Sequence, residues 1–205
     1  MDKRKFIYIE GNIGAGKTKV LETLKKSYPS LIHVEYEPIE IWQNYKNRFN
    51  LLSLMYSNPK EYAFKFQIVA QTTQILRETN VLNHKKKKKY NFFERSIRTQ
   101  KLFIDALFSD GIGLLDWYIL SDLYKVTIDQ IKNYQVIYLR TDPLVCLERI
   151  RQRARHEEAN ITLTYLKLLH KKHEKTFKDD NCIIIDGNLP TKQIVDIIVK
   201  SLGIK

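Results

Sequence analysis

FIYIEGNIGAGKTKV, from Phe6 to Val20, changes character twice within a few residues. Phe6 to Ile9 is an apolar run of strand length and strand residue types. From Lys17 onward the apolar residues Val20, Leu21 and Leu24 fall at helical spacing. Between the two lies G-x-x-x-x-G-K-T, made of Gly11, Asn12, Ile13, Gly14, Ala15, Gly16, Lys17 and Thr18. Glycines here let the backbone turn so that successive N–H groups point inward, where they meet the positive end of a helix dipole. Lys17 then reaches terminal phosphates, and the Thr18 hydroxyl is placed to ligate magnesium. A plain glycine-rich turn would not need strand, loop and helix in register, so the stretch predicts a nucleoside triphosphate site. The same loop serves kinases, motors and switches, so it does not by itself choose the chemistry.

Outward from this stretch, four more short apolar runs recur at His33–Tyr36, Tyr90–Phe93, Val136–Leu139 and Cys182–Ile185. With Phe6–Glu10 they read as five strands buried on both faces of a parallel sheet. Helical patterns separate them, which predicts an α/β fold with helices on both faces of the sheet. Pro59 opens the longest helix, to about Asn83, with apolar residues at Phe64, Ile68, Ile75 and Leu82. Asp142-Pro143 reads as a cap followed by proline at the first helical position, starting a helix that runs toward Arg155. Ligands of such sheets bind at the carboxyl ends of the strands. There the sequence places the phosphate loop, Glu37-Pro38 and Glu94-Arg95-Ser96.

The chain of 205 residues, 43% of them hydrophobic, suits one α/β domain across 1–205. No apolar run approaches a membrane span. The N-terminus enters the first strand almost at once, so no targeting peptide is expected. Cys146 and Cys182 read as buried, reduced thiols. Together these lead to an expected cytoplasmic location, in the host cytoplasm if the chain is viral. The 35 Lys and Arg against 23 Asp and Glu give a charge of +12. That excess suits either nucleic acid or polyphosphate handling. Lys85–Lys89 reads as a solvated loop after the long helix, with a nuclear-import or nucleic-acid role as the alternative.

GNIGAGKT, YEPIEIWQN, LMYSNPKEYAFKFQ, FFERS and RIRQRARHEE, in this order, resemble the deoxyribonucleoside kinases. That group includes deoxycytidine, deoxyguanosine and mitochondrial thymidine kinases and the insect multisubstrate enzyme. The likeness covers Lys5 to about Ile185. It implies a P-loop kinase with a five-stranded parallel sheet and an arginine-rich lid near 149–160, which passes the γ-phosphate of ATP to a deoxynucleoside 5′-hydroxyl in nucleotide salvage. It also implies magnesium and a homodimer formed through two helices of each subunit.

By this resemblance Glu37 is the general base; a carboxylate in reach both orients and deprotonates the attacking hydroxyl. A solvated loop carboxylate would be the default without the phosphate loop beside it. Glu94 helps hold the magnesium, and Arg95 supports the 5′-oxygen and phosphate; a simple salt bridge is the other reading. Arg149, Arg153 and Arg155 close over the triphosphate, although arginines on a helix can also be merely solvated. Tyr56 and Glu158 match positions holding the 3′-hydroxyl, with Met55 beside them and Tyr165 nearby. Gln67, Ala70 and Gln74 share one helix face, where Gln67 bonds the base edge. Trp42 and Phe66 match aromatics that pack on the base, for which the core is the competing place.

Ile104 stands where the family usually has a third aromatic, with Phe103 turned roughly 100° away on an ideal helix. The positions matching Gln74 and Gln100 carry an arginine and an aspartate in relatives that prefer deoxycytidine or purines. Uncharged residues there resemble thymidine-accepting relatives. Thymidine and deoxycytidine are therefore the expected substrates, ahead of purine nucleosides and ribonucleosides. Two other classes stay in view: thymidylate kinase, which shares the sheet and loop, and a nucleic-acid-binding P-loop protein, for which buried aromatics argue poorly.

Overall fold

The computed structural model describes residues 4–83, 88–109, 112–128, 134–178 and 182–205. In chain order the first half forms β1 (Lys5–Gly11), α1 (Lys17–Ser27), β2 (Ile32–Glu35), α2 (Ile39–Gln43), α3 (Leu51–Ser57) and α4 (Pro59–Asn83). The second half forms β3 (Tyr90–Glu94), α5 (Arg98–Ser109), α6 (Leu114–Ile128), β4 (Tyr134–Arg140), α7 (Pro143–Arg153), α8 (Leu163–Thr176), β5 (Cys182–Asp186) and α9 (Thr191–Leu202). A 3-10 turn spans His156–Glu158. The five strands make one parallel sheet in the order β2-β3-β1-β4-β5.

Alternation along the strands sends side chains to two helical layers. Ile7, Ile9, Phe92, Ile137 and Leu139 point to one face and pack with Val20, Leu21 and Leu24 of α1 and Ile194 and Ile198 of α9. Tyr8 and Phe93 point to the other face, against Val81 of α4. Val136 and Tyr138 on that face meet Phe177 after α8. Burying each such large apolar side chain stabilises the fold by roughly 1.5–3 kcal/mol. β5 departs from the expectation of two buried faces: it is an edge strand, and Ile184 is 41% exposed. Cys146 is buried, whereas Cys182 is half-buried rather than buried; they are not bonded to each other.

α7 starts as its sequence requires. The Asp142 side chain accepts from the Leu144 N–H at 2.7 Å, Pro143 follows at the first helical position, and Ala154 ends the helix in the left-handed region. α4 spans the expected residues, but its inward face is not the apolar stripe. Phe64, Ile68 and Ile75 are half-buried, while Gln67, Gln71, Gln74, Arg77 and Glu78 are buried. Lys85–Lys87 lie outside the described residues; Lys88 and Lys89 are exposed. Among the described residues no helix is long and apolar enough to cross a membrane.

Candidate active site

The loop after β1 is built against α7 and α8. Asn12 Nδ2 donates to the Leu166 carbonyl at 2.9 Å, and its Oδ1 accepts from the Ile13 N–H at 2.9 Å, so Asn12 fastens the loop from behind. Gly14 has φ +76, and a Cβ there would lie 2.4 Å from the Cys146 carbonyl oxygen. Only glycine suits that position. Lys17 donates from Nζ to the Asn12 and Gly11 carbonyls at 2.9 and 3.2 Å. Burial, followed by the Arg95 charge, lowers its pKa to about 8. Thr18 Oγ1 donates to Glu94 Oε1 at 2.8 Å, joining the loop to the end of β3.

Across the sheet, Arg95 Nε lies 2.9 Å from Glu37 Oε1, an ion pair whose alignment falls short of a hydrogen bond. Arg95 Nη1 donates to the Gly11 carbonyl at 2.9 Å, and the guanidinium sits 4.9 Å from the Phe103 ring centroid. Arg95 has φ +61, which costs a non-glycine residue roughly 1–3 kcal/mol. The turn is held from below by Glu10, whose Oε1 accepts from the Ser96 N–H at 2.8 Å and the Ser96 hydroxyl at 2.5 Å. Burial pushes the Glu10 pKa up, against the opposing effects of Ser96 and Arg95.

Lys17, Thr18, Glu37, Glu94 and Arg95 open onto one cavity of about 690 Å³. Ile13, Gly14, Ala15 and Gly16 line it with Lys17 and Thr18, facing Glu37, Glu94 and Arg95. Arg149, Arg153 and Arg155 of the α7 end close one side. Arg149 Nη1 donates to the Ala15 and Gly187 carbonyls at 3.1 and 3.0 Å. Arg153 and Arg155 both pair with Glu158, the latter at 2.6 Å, and Glu158 is only 4% exposed. Next to it, Glu157 Oε1 accepts from Asn50 and Gln43 at 2.7 and 3.0 Å, tying this turn to α2 and the start of α3. The Asn50 contact is the main cause of a lowered Glu157 pKa.

At the far end, lined by α2, α3 and α4, the cavity carries no charged group among the described residues. Trp42, Met55, Phe66, Gln67 and Ala70 line it, with Gln100 contributed by α5. Trp42 and Phe66 pack edge to face with centroids 5.3 Å apart, and Trp42 Nε1 donates to Thr73 Oγ1 at 3.0 Å. Gln67 is buried, and its Oε1 accepts no hydrogen bond from the described residues. Tyr56, Tyr165 and Glu158 also line the cavity. Burial, with Tyr165 and Glu158 nearby, raises the Tyr56 pKa well above normal, so its hydroxyl stays a neutral donor.

With this geometry in place, the sequence matches the family model for deoxynucleoside kinase over residues 7–199. The chain belongs to the deoxynucleoside kinase family. A probable deoxycytidine kinase of Fowlpox virus is 36% identical over 186 residues, 88% of this chain and 75% of that protein. Deoxycytidine kinase 2 of Gallus gallus is 34% identical over 191 residues, 82% of this chain and 72% of its own. Mitochondrial thymidine kinase 2 of Homo sapiens is 31% identical over 183 residues, 85% of this chain and 64% of that protein. As a deoxynucleoside kinase the chain is an ATP-dependent phosphotransferase of nucleotide salvage. The thymidylate kinase and nucleic-acid-binding readings are not favoured.

Four site residues taken from the sequence do not line the cavity of this deoxynucleoside kinase. Gly11 and Asn12 lie behind it as supports, through their contacts with Arg95, Lys17 and Leu166. Gln74 is turned under the strand ends, donating to the Arg95 carbonyl at 2.8 Å and to Glu78 Oε1 at 3.1 Å. Ile104 is fully buried in the apolar cluster that also supplies Trp42, Met55, Phe66 and Ala70 to the cavity wall. The face of α5 that meets the cavity is instead Gln100, Phe103 and Leu107, spaced i, i+3 and i+7. An aromatic side chain, Phe103, therefore lines the cavity from α5, one residue before Ile104. Leu189, Thr191 and Ile194 also line the cavity, at the start of α9, and were not singled out from the sequence. Their signal was the Asp186-Gly187-Asn188 turn followed by an apolar helix.

Proposed function

We propose that residues 1–205 form a single kinase domain in which Glu37 takes the proton of the nucleoside 5′-hydroxyl as its oxygen attacks the γ-phosphorus of ATP. The new oxygen–phosphorus bond forms as the bond to the β–γ bridging oxygen breaks, and ADP leaves. What supports this reading most is the Glu37–Arg95 pair facing Lys17 across one cavity. Arg95 and Lys17 stabilise the charge spread over the phosphoryl oxygens, and Arg149, Arg153 and Arg155 do so from a lid spanning about 149–160. Thr18 and Glu94, two oxygen donors already 2.8 Å apart, fit a hard cation completed by phosphate and water. Magnesium, when bound there, neutralises charge on the β- and γ-phosphates. Tyr56 and Glu158 hold the 3′-hydroxyl, and Gln67 reads the base edge beneath Trp42 and Phe66.

The uncharged far end, with Gln100 where some relatives carry an aspartate, supports thymidine and deoxycytidine as preferred substrates. The named relatives include both deoxycytidine kinases and a thymidine kinase. The working form is a homodimer in the cytoplasm, with no part for nucleic acid. Steady-state kinetics over the four deoxynucleosides and their ribose counterparts, on wild type and Glu37→Gln, tests the proposal. Both pyrimidine deoxynucleosides should give the highest kcat/KM, and Glu37→Gln should lower kcat by roughly 10² or more with substrate affinity kept. A purine deoxynucleoside ahead of both pyrimidines overturns the base preference, and unchanged turnover in Glu37→Gln removes it as the base.

A further inference from the structure

β2 and β3 carry Glu37, Glu94 and Arg95 at or just beyond their ends, yet their pairing stops at Glu35↔Phe93. Arg77, on α4, spans the strand ends past that point. Its Nη1 donates to the Tyr36 carbonyl at 2.7 Å, and its Nη2 donates to the Glu94 and Arg95 carbonyls at 3.0 Å each. Arg77 is buried, and among the described residues no carboxylate lies within ion-pair distance of it. Its hydrogen bonds all go to backbone carbonyls, with the Phe93 ring centroid 5.8 Å away as a further neighbour; so placed, a buried arginine is a poor stability device, because removing a charge from water is costly. Its placement calls for another account.

We propose that Arg77 is a positioning residue for phosphoryl transfer, one guanidinium that fixes the backbone on both sides of the Glu37–Arg95 pair. The inference rests on Glu37 being the base. Peptide planarity makes the geometry strict. The Tyr36 carbonyl shares its plane with the Glu37 N–H, so holding it sets the start of the Glu37 backbone. The Glu94 carbonyl shares its plane with the Arg95 N–H, which itself donates to the Ile9 carbonyl at 3.1 Å. The Arg95 carbonyl shares its plane with the Ser96 N–H, which Glu10 holds at 2.8 Å. Gln74 bonds that same Arg95 carbonyl. Both peptides flanking Arg95 are thus gripped at each end, which keeps a non-glycine residue at φ +61. A planar fork can reach two strands at once, whereas a lysine ammonium offers one compact point of charge.

Arg77→Met and Arg77→Lys test this beside Glu37→Gln, with ATP and the best deoxynucleoside as substrates. The folded fraction is counted from the stoichiometry of ATP binding. Per folded molecule, Arg77→Met should lose roughly 10- to 100-fold in kcat, the scale of a small misplacement of reacting groups. KM for both substrates should stay within a few-fold, and Arg77→Lys should fall between Met and wild type. If Arg77→Met does not fold, the charge-keeping Arg77→Lys carries the test. Wild-type kcat per folded molecule in the variant that folds overturns the proposal, as does a loss that only follows the folded fraction. Normal turnover in Glu37→Gln would remove the base assignment itself; slow Glu37→Gln beside an unimpaired Arg77 variant removes the role of Arg77 alone.

Discussion

Among the described residues no carboxylate pairs directly with Lys17; its Nζ rests on the Asn12 and Gly11 carbonyls beneath the phosphate loop. Burial and the Arg95 charge hold its pKa at about 8, below the 10.5 of a free lysine. Between those two values the folded chain binds fewer protons than the unfolded one, so this group makes stability rise with pH across that window. ATP reverses the balance, because phosphate oxygens favour the ammonium. At pH 8 ATP binding should therefore take up roughly half a proton through this residue. Calorimetry in buffers of different ionisation enthalpy measures that uptake, and Lys17→Met should abolish it. Wild type and Lys17→Met with equal proton uptake would show that the lysine is already charged before ATP arrives.

At the scale of elements, what the sequence made plain was whatever a strand or a cap declares locally. The phosphate loop, the start of α7 at Asp142-Pro143 and the extent of α4 all follow from neighbouring residues. The inward face of α4 did not, because its buried side mixes Ala63, Phe66, Ala70 and Val81 with Gln67, Gln71, Gln74, Arg77 and Glu78. Gln67 serves the cavity and Gln74 and Arg77 serve the strand ends, so hydrophobic periodicity pointed to Phe64, Ile68 and Ile75 instead. α5 hid its cavity face for a related reason: Ile104 and Leu107 are both buried, and only the packing of the helix selects which neighbour meets ligand.

Joints between elements are testable through two glycines in the left-handed region. Gly203, after α9, has φ +64 and open space where a Cβ would go, whereas Gly14 meets the α7 backbone. Gly203→Ala should cost only the backbone term, roughly 1–2 kcal/mol. Gly14→Ala should cost more and also weaken ATP binding, since the loop must move off α7. Urea unfolding of both variants reads the difference; equal losses would mean that the loop yields without strain.

Over the whole molecule, the order β2-β3-β1-β4-β5 brings three strand ends with polar groups to one crevice. Their convergence was legible because parallel strands share an end. The opposite wall was less so, since α3, α4 and α5 meet only through tertiary packing. Among the described residues, α6 leaves an apolar face exposed. Leu115, Ile119 and Val126 of α6 fall on one helix face at i, i+4 and i+11, and are 70%, 43% and 66% exposed. An apolar stripe of this kind marks a contact surface, and the isologous dimer proposed here is the simplest way to cover it. Sedimentation equilibrium should give about twice the 24.4 kDa chain mass for wild type. Leu115→Glu with Ile119→Glu should give the monomer, because each glutamate would meet its own kind across the two-fold axis. Every proposed site residue comes from one chain, so the separated monomer should keep kcat within a few-fold. A wild type that stays at 24.4 kDa through the micromolar range would rule the dimer out, and a double variant that still pairs would place the interface elsewhere.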